Sequence, residues 1–278
     1  MRFVWQLAAV VAVSFVGNQA VAAVQDDPWL SLAVGLLVSV LAVLAYGWVV
    51  RRTEHRPSTE VARTGAGPAI GRGALMGVAM FGAVIANIAL LGHYEIDGLA
   101  SVHGAVGLFG LMAVAAVTEE LLFRGVLFRI VEEYAGTWIA LTLTGTLFGL
   151  MHLLNPHADL WGAIAIAIEA GGMLGAAYAA TRTLWLPIGL HLGWNFAAAG
   201  IFSTEVSGNN TPQGLLDTVT SGPKLITGGD FGPEGSVYAV LAGVLMTAAF
   251  LWLAHRRGNL VPRRRRADKA AAPTTLPR

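Results

Sequence analysis

The sequence predicts an all-α, polytopic integral membrane protein with about eight transmembrane helices. Three observations predict it. Of 278 residues, 55% are apolar and only 13% are charged, where a soluble domain carries about 25% charged residues. Eight apolar runs each reach the roughly 20 residues that a helix needs to cross the hydrocarbon core. When those runs are threaded through a membrane, the basic residues fall almost entirely on one side. The absence of cysteine excludes a disulfide scaffold and a thiolate metal site. The apolar content excludes intrinsic disorder outside the C-terminal tail.

In chain order the runs are Phe3–Val24, Pro28–Val50, Gly73–Leu91, Gly98–Thr118, Tyr134–Asn155, Leu160–Thr181, Thr183–Ser203 and Gly235–Ala254. Only the sixth contains a charged side chain, Glu169. With the N-terminus in the cytoplasm, Arg2, the five Arg of the Arg51–Arg72 loop, Arg124, Arg129, Arg182 and the tail all face the cytoplasm. That is 17 of the 18 basic residues, with Lys224 alone outside. The outer segments carry Asp26, Asp27, Glu95, Asp97, Asp159, Glu205, Asp217, Asp230 and Glu234. This is the positive-inside pattern, which an odd span count would spoil. It predicts a multi-pass protein of the cell membrane with both termini cytoplasmic. Residues 1–25 also have the form of a signal peptide, with Arg2 as the charged end and Ala20-Val21-Ala22 as a small-residue site; cleavage there leaves seven spans.

The organisation expected is three spans and a cytoplasmic loop over 1–97, a core over 98–203, an outer loop over 204–234, a last span over 235–255 and a basic, disordered cytoplasmic tail over 256–278. The outer loop, with six Gly, three Pro and Asn209-Asn210, reads as long and mobile. The tail holds eight of the 18 basic residues, and its Arg263–Arg266 block is placed to meet anionic lipid headgroups. That juxtamembrane position accounts for the block without nucleic acid. No internal repeat supports an inverted-repeat transporter.

Ionisable side chains inside a bilayer are expensive and are functional candidates by default. Here they cluster. Thr118-Glu119-Glu120-Leu121-Leu122-Phe123-Arg124 continues the fourth run toward the cytoplasm, Phe148 to His152 lies on the fifth, and His191 to Asn195 opens the seventh just after Pro187. Glu120 and Arg124 are four apart and share a helix face, so they can pair. Phe148 with His152, and His191 with Asn195, have the same spacing. Two carboxylates, two imidazoles and an amide on three helices suffice for general acid–base chemistry on water. Taken singly, Glu120–Arg124 is as readily a structural ion pair, and His152 or His191 a helix-to-helix hydrogen bonder. Phe148 and Trp194 read as packing, His103 and His157 as interfacial. Glu169 is either protonated or part of the site.

The set Glu119-Glu120-xxx-Arg124, Phe148-xxx-His152 and His191-xxx-Asn195, with its Leu184-Trp185-Leu186-Pro187-Ile188-Gly189 lead-in, resembles the motifs of the CPBP intramembrane endopeptidases. That family includes CAAX prenyl endopeptidases and bacteriocin-processing and abortive-infection proteins. The resemblance spans roughly Gly98 to Ile201. It implies an eight-helix protease with a site sunk in the membrane and open toward the cytoplasm. By motif position it implies that Glu119 activates water with help from His152, and that His191 and Asn195 bind the oxyanion. Glu120 and Arg124 would hold the first motif, with Glu120 also able to share the catalytic load. Glu119, His152 and His191 are also sufficient ligands for one divalent ion such as zinc, although one carboxylate cannot be both ligand and base. A metal-free site and a zinc site are therefore both open. The expected partner is a peptide or protein substrate entering from the membrane or the cytoplasmic side. The Ala-, Arg-, Gly- and Val-rich composition hints at a GC-rich bacterial genome, and so at a secreted or membrane-bound peptide rather than a prenylated protein. The competing class is a non-enzymatic membrane protein, an immunity factor, scaffold or transporter, whose polar cluster only ties helices together.

Overall fold

The computed structural model describes residues 1–263. Seven of its helices are long and apolar enough to cross a membrane. They are α1 (Arg2–Ala22), α2 (Pro28–Glu54), α3 (Ala66–Leu90), α4 (Val102–Ala135), α5 (Thr137–Leu154), α6 (Leu160–Thr181) and, last in the chain, α8 (Val237–Arg256). Before it, α7 (Trp185–Phe196) runs on through a π-helical stretch at Ala197–Ile201 and completes the eight. Polar caps start these helices as apolar runs require, because the first N–H groups have no partner within the helix. Asp27 accepts from Trp29 and Leu30 N–H before Pro28 opens α2. Ser101, Asp159 and Ser236 cap α4, α6 and α8 in the same way.

The largest departure from the expected spans is α4. It does not stop near Thr118 but continues for 34 residues, through a π-helical stretch at Leu121–Phe128. Glu119, Glu120 and Arg124 therefore lie in its middle, and Arg124 is buried rather than facing the cytoplasm. The physical reason is that Glu120 and Arg124 pair with each other and Glu119 opens on a cavity. Arg124 Nη1 donates to Glu120 Oε1 at 2.7 Å, and Nη2 donates to the Ala170 carbonyl at 2.9 Å. A paired, hydrogen-bonded charge survives in a low-dielectric interior where a lone one does not. The apolar stretch Leu121–Ile130 then carries the helix on.

Close backbone approach fixes the site-bearing helices. On α3 and α7, Gly73-xxx-Gly77 faces Gly189-xxx-Gly193. A Cβ at Gly77 would lie 2.3 Å from the Leu190 carbonyl oxygen, and one at Gly193 would lie 2.1 Å from that of Ala74. Small residues let membrane helices gain van der Waals contact over their backbones. The crossing sets the height of His191 and Asn195, which flank Gly193 on α7.

The two ends of the bundle differ. At one end Glu54 binds Arg129 (2.8 Å) and Arg56 (2.6 Å), Glu60 binds Arg56 at 2.5 Å, and Glu132 binds Arg182. The chain after α8 is docked there. The Asn259 amide donates to the Ala180 carbonyl, and the Thr137 N–H to the Val261 carbonyl. The tail expected to be disordered from residue 256 is thus packed as far as it is described; the lipid contact expected of the Arg263–Arg266 block falls almost wholly outside the described residues. At the opposite end, β1 (Tyr94–Leu99) pairs antiparallel with β2 (Leu216–Thr220), Tyr94 opposite Thr220. This small sheet stands apart from an otherwise helical chain because two segments outside the bundle satisfy their backbone groups on each other. It also ties down the 204–234 segment, which is folded over the helix ends where a mobile loop is expected.

Candidate active site

Three helices deliver the motif residues to one place. On α4, Glu120 is fully enclosed, and its Oε1 accepts from both Arg124 (2.7 Å) and His191 Nδ1–H (3.0 Å). Glu119, one residue earlier, points 100° around the helix and is 27% exposed. Its Oε2 lies 3.8 Å from His191 Nε2 and has no hydrogen-bond partner. His191 thus stands between the two carboxylates. On α5, Phe148 packs edge-on to Phe123 (4.9 Å between centroids), carries the Arg124 guanidinium over its face at 4.7 Å, and lies against His152. The His152 Nδ1–H donates to the Phe148 carbonyl at 2.7 Å, which leaves Nε2 free. Asn195 follows His191 by one turn.

These groups line a cavity of about 370 Å³. Glu119, His152, His191 and Asn195 reach its wall; Glu120 and Arg124 stand behind it. Of the expected site residues, then, four meet the cavity, Phe148 forms part of its wall, and Glu120 with Arg124 holds the others. No hydrogen bond joins Glu119 to His152. The helices that carry the wall contain π-helical stretches at Leu121–Phe128, Ala167–Gly172 and Ala197–Ile201, a feature that recurs at functional sites; the second lines the cavity through Glu169 and Ala170.

Two further carboxyl groups line the cavity. Glu169 is fully buried on α6, and neither of its oxygens has a hydrogen-bond partner. Glu234, just before α8, was not expected from the sequence. Its Oε1 accepts from the Trp194 indole (3.0 Å), and its Oε2 from the Ser207 N–H and hydroxyl (both 2.7 Å). Burial pushes this carboxyl above its ordinary range, against the pull of the Ser207 bonds, His152 and the Trp194 bond. No spacing rule singles out Glu234, because it reaches the site from a segment outside the helices. The faint signal was one acid directly ahead of a span.

A metal would need several of these groups around one point. Among the described residues, no three His, Cys, Asp or Glu side chains are so arranged. His191 and His152 have each committed Nδ1, to Glu120 and to a backbone carbonyl, so only their Nε2 atoms could meet an ion, and these do not converge with a carboxylate into such a group. In this arrangement Glu119, His152 and His191 do not fit a shared ion.

The cavity also has a direction. Its lining from α4 is Leu111, Met112, Ala115 and Glu119, on the N-terminal side of that helix, and the 206–212 segment covers it. It therefore runs from mid-bundle to the end opposite the basic residues. A cytoplasmic opening and a cytoplasmic basic end, both expected from the sequence, do not hold together.

Fold and site together define a polytopic membrane protein with a carboxylate–imidazole–amide cluster inside the bundle. Residues 101–197, which hold all three motifs, match the family described as Type II CAAX prenyl endopeptidase Rce1-like. The match covers about a third of the chain. No curated protein and no solved structure matches the chain. The family implies a peptidase.

Proposed function

We propose that this protein is an intramembrane endopeptidase that hydrolyses a peptide bond in a membrane-associated or secreted peptide. Water is activated by Glu119, and His191 and Asn195 receive the charge that develops on the carbonyl oxygen. The observation that carries this reading is the contrast between the two adjacent glutamates. Glu120 is enclosed behind the wall with its Oε1 held by Arg124 and His191, whereas Glu119 lines the cavity, is partly exposed and presents an unpartnered Oε2. A positioned carboxylate without a partner is what a general base requires.

The protonation pattern follows from the hydrogen bonds. Because His191 donates Nδ1–H to Glu120, it has a second donor at Nε2 only as the imidazolium. In that form two carboxylates face two cations, Arg124 and His191, and the buried cluster is neutral. Nε2–H and the Asn195 amide then act as the pair of oxyanion donors, and His152 Nε2 is an acceptor able to orient the attacking water. Glu119 takes the water proton as oxygen attacks the carbonyl carbon, and it returns that proton to the leaving amine as the C–N bond breaks. Charge stabilisation of this kind is usually the largest contribution, and one donor is typically worth about 10²–10³ in rate. No step passes through a metal.

The test is hydrolysis of a peptide library by the purified protein in detergent, read by mass spectrometry of new ends. Cleavage by the wild-type chain that is lost in Glu119→Gln supports the reading. Cleavage that persists unchanged in Glu119→Gln refutes it.

A further inference from the structure

We propose that the cavity is served from the extracytoplasmic face, and that its substrate is a peptide segment presented there by an exported chain or by the outer end of a membrane-anchored one. The substrate part rests on the peptidase reading; the position of the mouth does not.

The lining points one way. On α5 the wall residues are Phe148, Met151 and His152, joined by Asn155 just past its end, where the helix meets the 155–159 turn. The exposed lining residues are Asn18, Met151, Asn209, Asn210 and Pro212. They form a mouth between α1, α5 and the 206–212 segment. Among the described contacts, α1 packs chiefly on α2 and α4, and α5 on α6, so the mouth borders on lipid as well as on water. With Asn155, four asparagines stand in or at this mouth. A primary amide donates and accepts as a peptide group does, so the rim matches an extended peptide backbone better than a prenyl chain. Asn18 is informative because it lies within a span: it faces the mouth from α1, and its amide N–H₂ is held by the Ser14 carbonyl at 2.8 Å, which leaves the oxygen free.

The other direction is shut. Below the site Tyr46, Phe123, Phe128, Tyr178 and Leu184 are buried together, and the Tyr46 hydroxyl donates to the Gly125 carbonyl at 2.9 Å. Beneath that layer lie the ion pairs of Glu54 with Arg129 and Arg56. This closed end carries the basic residues, and a basic end is retained in the cytoplasm. The mouth, at the other end, therefore faces out.

The chain contains no cysteine, so single cysteines report directly. Asn209→Cys at the mouth and Thr64→Cys at the basic end are treated with a charged, membrane-impermeant maleimide on intact cells, then after permeabilisation. Asn209→Cys should label fully before permeabilisation and Thr64→Cys only after it. The reverse pattern overturns the proposal. In parallel, new N-termini are compared by mass spectrometry in cells carrying the wild-type chain, Glu119→Gln or Asn195→Ala, with each variant checked for equal abundance in the membrane. Ends lost in Glu119→Gln should map to extracytoplasmic segments. Ends mapping to cytoplasmic segments overturn the substrate class. If no end depends on Glu119 while Asn209→Cys still labels from outside, the peptidase reading and the substrate class fall together and the outward mouth stands.

Discussion

Glu119 and Glu120 are neighbours on one helix, and the same isosteric change should affect them in opposite ways. Glu120→Gln removes a charge that is fully enclosed and that faces Arg124 at 2.7 Å and His191 at 3.0 Å. Arg124 is itself buried, and its remaining partners are backbone carbonyls on α6. Breaking a buried ion pair from one side leaves an uncompensated charge and costs about 3–5 kcal/mol. On the scaling for chains of roughly this size, that lowers the melting temperature by about 6–20 °C. Glu119→Gln changes a group that lines the cavity, has one oxygen unpartnered and makes no close ion pair. Its stability cost should stay within about 0.5 kcal/mol, as for substitutions away from core and network, while loss of a general base lowers turnover by about 10²–10⁴. The assay is the fraction of monodisperse protein left after heating in detergent, run beside peptide cleavage. The double variant Glu120→Gln/Arg124→Met removes both charges and should regain most of the lost stability, because a buried pair replaced by apolar volume is often neutral. Equal destabilisation by Glu119→Gln and Glu120→Gln, or no recovery in the double variant, refutes the division of labour between the two carboxylates.

Three further outcomes follow from the same geometry. Asn195→Ala deletes one oxyanion donor and should reduce kcat by about 10²–10³ with KM little changed, whereas His152→Ala should reduce cleavage without shifting the melting temperature, since its only hydrogen bond is to a carbonyl of its own helix. Protein purified without added metal should carry well under about one zinc per chain by elemental analysis, and prolonged chelator dialysis should leave activity intact; stoichiometric zinc that disappears in His152→Ala would reverse this. Because burial raises the Glu234 carboxyl above its ordinary value, the folded state binds its proton more tightly than the unfolded state. Stability should therefore fall as pH rises from about 4.3 through that raised value, and the slope should be smaller in Glu234→Gln, measured by thermal denaturation across that window.

The parts of the site legible in the sequence are those encoded by spacing within one helix. Glu120 to Arg124 and His191 to Asn195 are both one turn apart, and both land where that spacing puts them. Helix count and charge partition were legible too, because apolar length and loop charge are properties of segments. What was not legible is whatever depends on how helices meet. Arg124 reads as a cytoplasmic charge until α6 is seen to offer its Ala170 carbonyl across the interface, and only then does α4 make sense as 34 continuous residues. Glu234 and Ser207 are 27 residues apart, on a segment with no period, and they bond to each other where Glu234 also accepts from the Trp194 indole. The direction of the cavity belongs to the same class. Each helix, read alone, has two ends of equal standing. Which end the cavity reaches is decided by where neighbouring helices part and what fills the gap between them: aromatic side chains and ion pairs on the basic side, asparagines on the other. A motif therefore identifies groups equipped for the proposed chemistry without specifying the side from which a peptide would reach them. For this chain, access has to be read from packing, and packing puts the mouth opposite the arginines.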